Sequence, residues 1–134
     1  MKSGIPPLVD FSGRRFLVVD DIEVNREIAA ELLGKTGAMV EFAEEGRRCV
    51  EMVSSAPPGH YDLILMDINM PVMDGLDATK RLRQMGFALP IIAMTANVGD
   101  RNRRAAFDAG MDAFMEKPVR VEELFSEIAG CLDG

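Results

Sequence analysis

Long apolar runs are missing from this 134-residue chain. None approaches the roughly 18 residues that a membrane-spanning helix needs, and residues Met1 to Pro7 lack the apolar core of a secretory signal. Both absences point to a cytoplasmic segment without direct membrane contact. Cysteine is scarce. The two present, Cys49 and Cys131, lie inside apolar helical patterns at no metal-ligand spacing, so they read as buried reduced thiols and zinc is not expected. No disulfide staple is required, because one domain of this length buries roughly two-thirds of the surface its unfolded form exposes. Basic residues are outnumbered, 15 against 22 acidic, for a net charge of -7, and a nucleic-acid-binding surface is not expected. Histidine is nearly absent: His60 follows the stop Pro57-Pro58-Gly59 with no partner apparent, and reads as neither phosphodonor nor ligand. Neither G-x-G-x-x-G nor G-x-x-x-x-G-K-[ST] occurs, which leaves nucleotide binding without support. A calcium loop starting at Asp67-Ile68-Asn69 also fails, since Val72 stands where glycine is required and no Glu closes the loop.

What the chain does contain is a set of short apolar runs with polar tips. Phe16-Leu17-Val18-Val19 ends in Asp20-Asp21, and Leu63-Ile64-Leu65-Met66 ends in Asp67. A buried strand has no structural use for such a charge, so Asp67 is expected on a rim with chemical work to do. Pro71 cannot donate to a ladder and Asp74-Gly75 signals a turn, so the strand has become loop by then. Ile91-Ile92-Ala93-Met94 runs into Thr95, residues 113–116 lead to Lys117-Pro118, and residues 38–43 form a further short strand.

Helical spacing fills the intervals. Ile28, Ala29, Leu32 and Leu33 form an inward stripe opposite Glu23, Arg26, Glu27 and Glu31, closed by Gly34 and Gly37. Residues 45–55 carry Cys49, Val50 and Val53 inward. A basic, weakly amphipathic helix follows Gly75 to about Met85. Residues 100–109 make a short helix of weak anchorage whose Arg101, Arg103 and Arg104 read as a solvated face. Val121, Leu124, Phe125, Ile128, Ala129 and Leu132 give the clearest stripe and close the domain. Residues 1–13, rich in proline and glycine and without periodicity, read as a tail or linker. The methionines are mostly core filling, with Met70 and Met73 placed to line the site.

Alternating strands and helices with near-continuous apolar strands imply an α/β fold, a parallel sheet covered on both faces. Right-handed crossovers then give a doubly wound sheet of order 2-1-3-4-5, with its site beyond the carboxyl ends where the order reverses. There the carboxylates of Asp20, Asp21 and Asp67 would converge and repel by about 4 kcal/mol per pair at roughly 4 Å. Lys117 supplies one positive charge, and an oxygen-only cluster with room for water suits Mg²⁺ or Mn²⁺. A divalent cation beside a carboxylate nucleophile, a lysine and the Thr95 hydroxyl is suited to phosphoryl transfer, with an aspartyl phosphate as product.

These residues closely resemble the response-regulator receiver domain of two-component signalling. The resemblance covers about residues 14–132, which sets the expected domain at 14–134. It rests on the acid pair, Asp67 with Met70-Pro71 and Asp74-Gly75, Thr95-Ala96, and Lys117-Pro118. It implies a flavodoxin-like fold in which Asp67 accepts a phosphoryl group from a phosphohistidine. Asp21 and Asp67 would bind the metal directly, with the backbone carbonyl of Asn69 as a third protein ligand and Asp20 acting largely through water. Lys117 and Thr95 would each bond a phosphoryl oxygen, Ala96 would leave the group room, and the Lys117-Pro118 bond would be cis. Phe114 takes the switch-aromatic position, moving inward as Thr95 moves.

The wording Asp21-Ile22-Glu23-Val24-Asn25-Arg26 with Met94-Thr95-Ala96-Asn97 looks more like receivers of hybrid sensor histidine kinases, which usually pass the phosphoryl group to a histidine phosphotransfer domain. The absence of an output domain after Gly134 and the linker-like start are expected of an excised C-terminal receiver. Such a domain would catalyse only its own phosphorylation and dephosphorylation, although its parent chain would be a kinase. Ile22, Val24, Asn25, Pro118 and Val119 are suited to contact a helical phosphotransfer partner. Two alternatives stay open: a stand-alone single-domain regulator, and a small phosphatase of the haloacid dehalogenase type, which places its nucleophile on the first strand with a second Asp two residues on. Here the acceptor is on the third strand and Asn69 follows.

Overall fold

The computed structural model describes residues 9–133 apart from 69, 71, 72, 97, 98, 118 and 119. Strands β1 (Arg15–Val19), β2 (Met39–Ala43), β3 (Leu63–Asp67), β4 (Ile91–Thr95) and β5 (Ala113–Glu116) alternate with helices α1 (Glu23–Gly34), α2 (Gly46–Ser55), α3 (Gly75–Gln84), α4 (Asp100–Ala109) and α5 (Val121–Asp133). All strand pairs are parallel, in the order β2-β1-β3-β4-β5. This is the doubly wound sheet expected from the alternation. No helix among the described residues is long and apolar enough to cross a membrane.

Side chains alternate across each strand, so continuous apolar runs feed two cores. Leu17, Val19, Ile64, Met66, Ile91, Ala93 and Phe114 face one core with Cys49 and Val53 of α2, Ala78 and Leu82 of α3, and Ala106 of α4. Phe16, Val18, Leu63, Leu65, Ile92, Met94 and Met115 face the other, with Leu33 of α1 and Leu124, Phe125 and Ile128 of α5. Helix α3 starts at a carboxylate cap, Asp74 accepting from the Asp77 N–H at 2.9 Å. Its end is tied down by Arg83, which donates to the carbonyls of Gly110, Phe87 and Leu89 and pairs with Asp112 at 3.0 Å.

Four sequence readings need correction. Phe11, inside the segment read as tail, is only 7% exposed and packs edge-on against Phe16 and Phe125, with its N–H donating to the Thr36 carbonyl. A lone aromatic among glycine, proline and serine carries no periodic signal. Ile28, read as inward, is 53% exposed on α1, and among the apolar residues of that helix only Leu33 is buried. Cys131 is half-buried rather than buried, whereas Cys49 is fully enclosed and burial pushes its thiol up to about 12. His60, read as lacking a partner, has its Nε2 3.3 Å from Glu41 and stacks edge-on against Tyr61. Glu41 also accepts the Tyr61 hydroxyl and Arg15, each at 2.7 Å.

Candidate functional site

The reversal of strand order lies between β1 and β3, whose register pairs Val19 with Met66. Asp20 and Asp67 are the next residues on each strand, so the topology alone sets two carboxylates side by side at the carboxyl edge. Asp20 is 1% exposed and Asp67 6%, while the neighbouring Asp21 is exposed. One carboxylate oxygen from each of the three lies within 4.8 Å of the others. Each pair repels by about 3.5 kcal/mol at that separation with an effective dielectric near 20.

Lys117 answers part of this charge. It follows β5 at the far side of β4, and its Nζ reaches back to donate to Asp20 Oδ2 at 2.8 Å and Asp67 Oδ2 at 3.1 Å. The Lys117 N–H meanwhile donates to the Thr95 carbonyl at 2.9 Å, which holds the start of the reach against β4. Burial pulls the Lys117 ammonium down, but the hydrogen bond it donates to Asp20 and the charges of both carboxylates outweigh it, and the group stands above its ordinary value.

Asp20 is held from every side. Its Oδ1 accepts the Ile22 N–H at 3.0 Å and the Asn25 amide at 3.5 Å, and its own N–H donates to Ala43 at 3.1 Å. Its carbonyl accepts Arg26 Nη1 at 2.7 Å. Arg26 was not expected here, since its helical position placed it on the outward face. The available signal was its spacing, one turn into the helix that follows the acid pair, from which a long side chain can fold back over the helix start.

Thr95 is fully buried at the end of β4. Ala93 pairs with Phe114, so Thr95 and Phe114 share one face of neighbouring strands as diagonal neighbours. Phe114 is 8% exposed, and the guanidinium of Arg103 lies 5.0 Å over its ring, so one of the three α4 arginines covers an aromatic face instead of only meeting solvent. Ala96 is exposed beside the site. On the loop after β3, Met70 is buried and Met73 half-buried. Gly75 donates to the Ile68 carbonyl at 2.9 Å, and a Cβ there would collide with the carbonyl of Asp67 and with Met66. The Asp-Gly signal read as a turn is thus also a close approach of α3 to the strand that carries Asp67.

Of the expected partner contacts, Ile22 and Val24 are 49% and 54% exposed, whereas Asn25 is half-buried and turned toward Asp20. The carbonyl of Asn69, the Lys117-Pro118 bond, and the contacts assigned to Pro118 and Val119 lie outside the described residues, as do Pro71 and Asn97.

The donor set suits a hard divalent cation. It is all oxygen, three carboxylates face one lysine, and among the described residues Asp21 has no hydrogen bond or ion pair on its carboxylate. The residues present therefore fit Mg²⁺ or Mn²⁺.

Comparison with known proteins agrees. The response regulator receiver domain profile matches residues 16–129. The chain is 40% identical over 110 residues to two-component response regulator 24 of Arabidopsis thaliana, covering 82% of this chain and 78% of that protein. It is 39% identical over 106 residues to the sensor histidine kinase RcsC of Escherichia coli K12, covering 79% of this chain but only 11% of the kinase. Among solved structures it resembles the receiver domain of the sensor histidine kinase PA1611 from Pseudomonas aeruginosa PAO1, which has a magnesium ion coordinated in its active-site cleft. That match has a TM-score of 0.83 and 31% identity and covers 92% of this chain and all of the other.

Proposed function

Because this chain belongs to the response regulator receiver domain family, we propose that Asp67 is its phosphoacceptor and that the domain works in a phosphorelay. A carboxylate oxygen of Asp67 attacks the phosphorus of a phosphohistidine, an O–P bond forms as the N–P bond breaks, and the departing imidazole keeps the electron pair and takes up a proton. The observation that carries this reading is the buried Asp67 beside Asp20, with Lys117 held between them at 3.1 and 2.8 Å. Such an arrangement supplies positioning and charge neutralisation, which is most of what phosphoryl transfer asks of a protein.

Asp21 and Asp67 would hold Mg²⁺ directly, with Asp20 engaged by Lys117 and the α1 start and acting through water. When bound, the metal neutralises charge on the phosphoryl oxygens. Lys117 exchanges Asp67 Oδ2 for a phosphoryl oxygen, and Thr95, at the tip of the neighbouring strand, bonds a second. Its shared face with Phe114 carries the change to the surface covered by Arg103.

For the wider chain, receivers of this family partner with histidine kinases and phosphotransfer proteins. We read this one as the receiver of a hybrid kinase that relays to a histidine phosphotransfer domain docking over Ile22 and Val24. The stand-alone reading has its own support in the regulator relative that the chain covers to 78%. The test is transfer of a labelled phosphoryl group from a phosphorylated histidine phosphotransfer domain in Mg²⁺. Wild type takes the label and Asp67→Asn does not. Ile22→Lys slows that transfer while leaving phosphorylation by a small acyl phosphate unchanged. Equal label on Asp67→Asn would overturn the acceptor, and equal slowing by both donors would overturn the docking face.

A further inference from the structure

Every polar atom of Asp20 is anchored, but the carboxylate of its neighbour Asp21 is not. Asp21 is exposed, and among the described residues nothing hydrogen-bonds or pairs with that carboxylate. Where Asp21 points therefore depends on its backbone. The peptide unit joining Asp20 to Asp21 is planar, so a hydrogen bond to its oxygen orients the whole plane, including the Cα from which the Asp21 side chain leaves. Asp20 lies one residue past the last β1–β3 pair, and its carbonyl takes its donor from α1: Arg26 Nη1, at 2.7 Å.

We infer that Arg26 is a positioning residue for Asp21, aiming that carboxylate at the cation through the Asp20–Asp21 peptide plane. This rests on the reading of the acid cluster as a Mg²⁺ site and goes beyond it by assigning the aim of one ligand to a residue that touches neither metal nor phosphoryl group. Among the described residues, the α1 start offers no other strong hold on this plane. Ile22 occupies the cap position without a side-chain cap bond, and the Asp20 carboxylate anchors the Ile22 N–H rather than the Asp20 carbonyl. An arginine here also places positive charge beside a cation site, which by itself weakens metal binding. Positioning and charge thus predict opposite signs when Arg26 is removed.

The experiment is Mg²⁺ titration by calorimetry on the full chain as wild type, Arg26→Ala, Arg26→Met and Arg26→Lys, with thermal melts in chelator as a check on folding. Methionine keeps the packing of the stem without charge or donor, and lysine keeps both charge and a donor. The expected result is Mg²⁺ affinity lowered about fivefold or more in the Ala and Met variants, the scale of one lost hydrogen bond. Lysine recovers most of it, and the Asp21 amide resonance in Mg²⁺-free protein is displaced in Ala and Met alone. Affinity equal to or tighter than wild type in Ala and Met overturns the inference, as does failure of both to fold, which would make Arg26 a folding residue. Wild type without saturable Mg²⁺ binding instead overturns the cation reading, and the inference falls with it.

Discussion

Replacing Lys117 with methionine removes the ammonium that bridges Asp20 and Asp67 while keeping a stem of similar volume. Removing one member of a fully buried pair costs about 3–5 kcal/mol. Here the lysine side chain is 22% exposed against 2% for Asp20 and 8% for Asp67, so solvent screens part of the loss. About 2–3 kcal/mol is expected, or about 10 °C in melting temperature for a domain of this size. The same change takes the Lys117 charge away from the three carboxylates, so Mg²⁺ should bind the variant more tightly than wild type. Both proteins gain from Mg²⁺, and at saturation the gap narrows by about 1.4 kcal/mol for each tenfold by which the variant binds the ion more tightly. The assay is urea unfolding of both proteins in chelator and in Mg²⁺. Lys117 stands above its ordinary value of 10.5 in the folded state. Its stabilisation is therefore complete below that pH and lost as pH rises through the folded value, so the gap in chelator should begin to close only above about pH 10.5. Equal stability in chelator, or an equal gain from Mg²⁺ in both proteins, would refute the reasoning.

Three further outcomes follow from the packing. Gly75→Ala drives a methyl into the Asp67 carbonyl and Met66 and should cost about 2 kcal/mol while slowing phosphorylation, measured by denaturation and by label uptake. Phe11→Ala should cost about 3 kcal/mol in denaturation, against roughly zero for a residue in a free tail, because it vacates a contact with Phe16 and Phe125. The Tyr61 hydroxyl, over the opposing effect of burial and with help from Arg15 and His60, holds Glu41 below its ordinary value of 4.5. Its stabilisation is present above that value and lost as pH falls through the folded one, so Glu41→Gln should flatten the decline in stability below about pH 4.5.

The strands and the acid, hydroxyl and lysine positions were legible in the sequence for one physical reason. A buried parallel strand must be apolar throughout, so a polar residue at its tip marks the carboxyl edge, and the crossover rules place those tips together. Asp20, Asp67, Thr95 and Lys117 all fall where that grammar puts them. What was not legible depends on contacts between distant segments. Phe11 docks on α5 with no periodic neighbour to announce it, and His60 finds Glu41 across the sheet edge. Ile28 follows the helical stripe yet stays in water, because α1 buries only Leu33 of its apolar residues. Arg26 shows the limit most clearly: as a charged residue on an amphipathic helix it reads as solvated, and only the folded start of α1 turns it back onto the Asp20 carbonyl.

The central claim is that Asp67 carries the phosphoryl group, and reductive trapping tests it most directly. The protein is incubated with Mg²⁺ and a small acyl phosphate, the product is reduced with borohydride, and the peptide spanning β3 is sequenced by mass spectrometry. An aspartyl phosphate at position 67 is converted to homoserine there, in wild type with Mg²⁺ and not with chelator. Homoserine at position 20 or 21, or the same yield at 67 without Mg²⁺, would contradict the account.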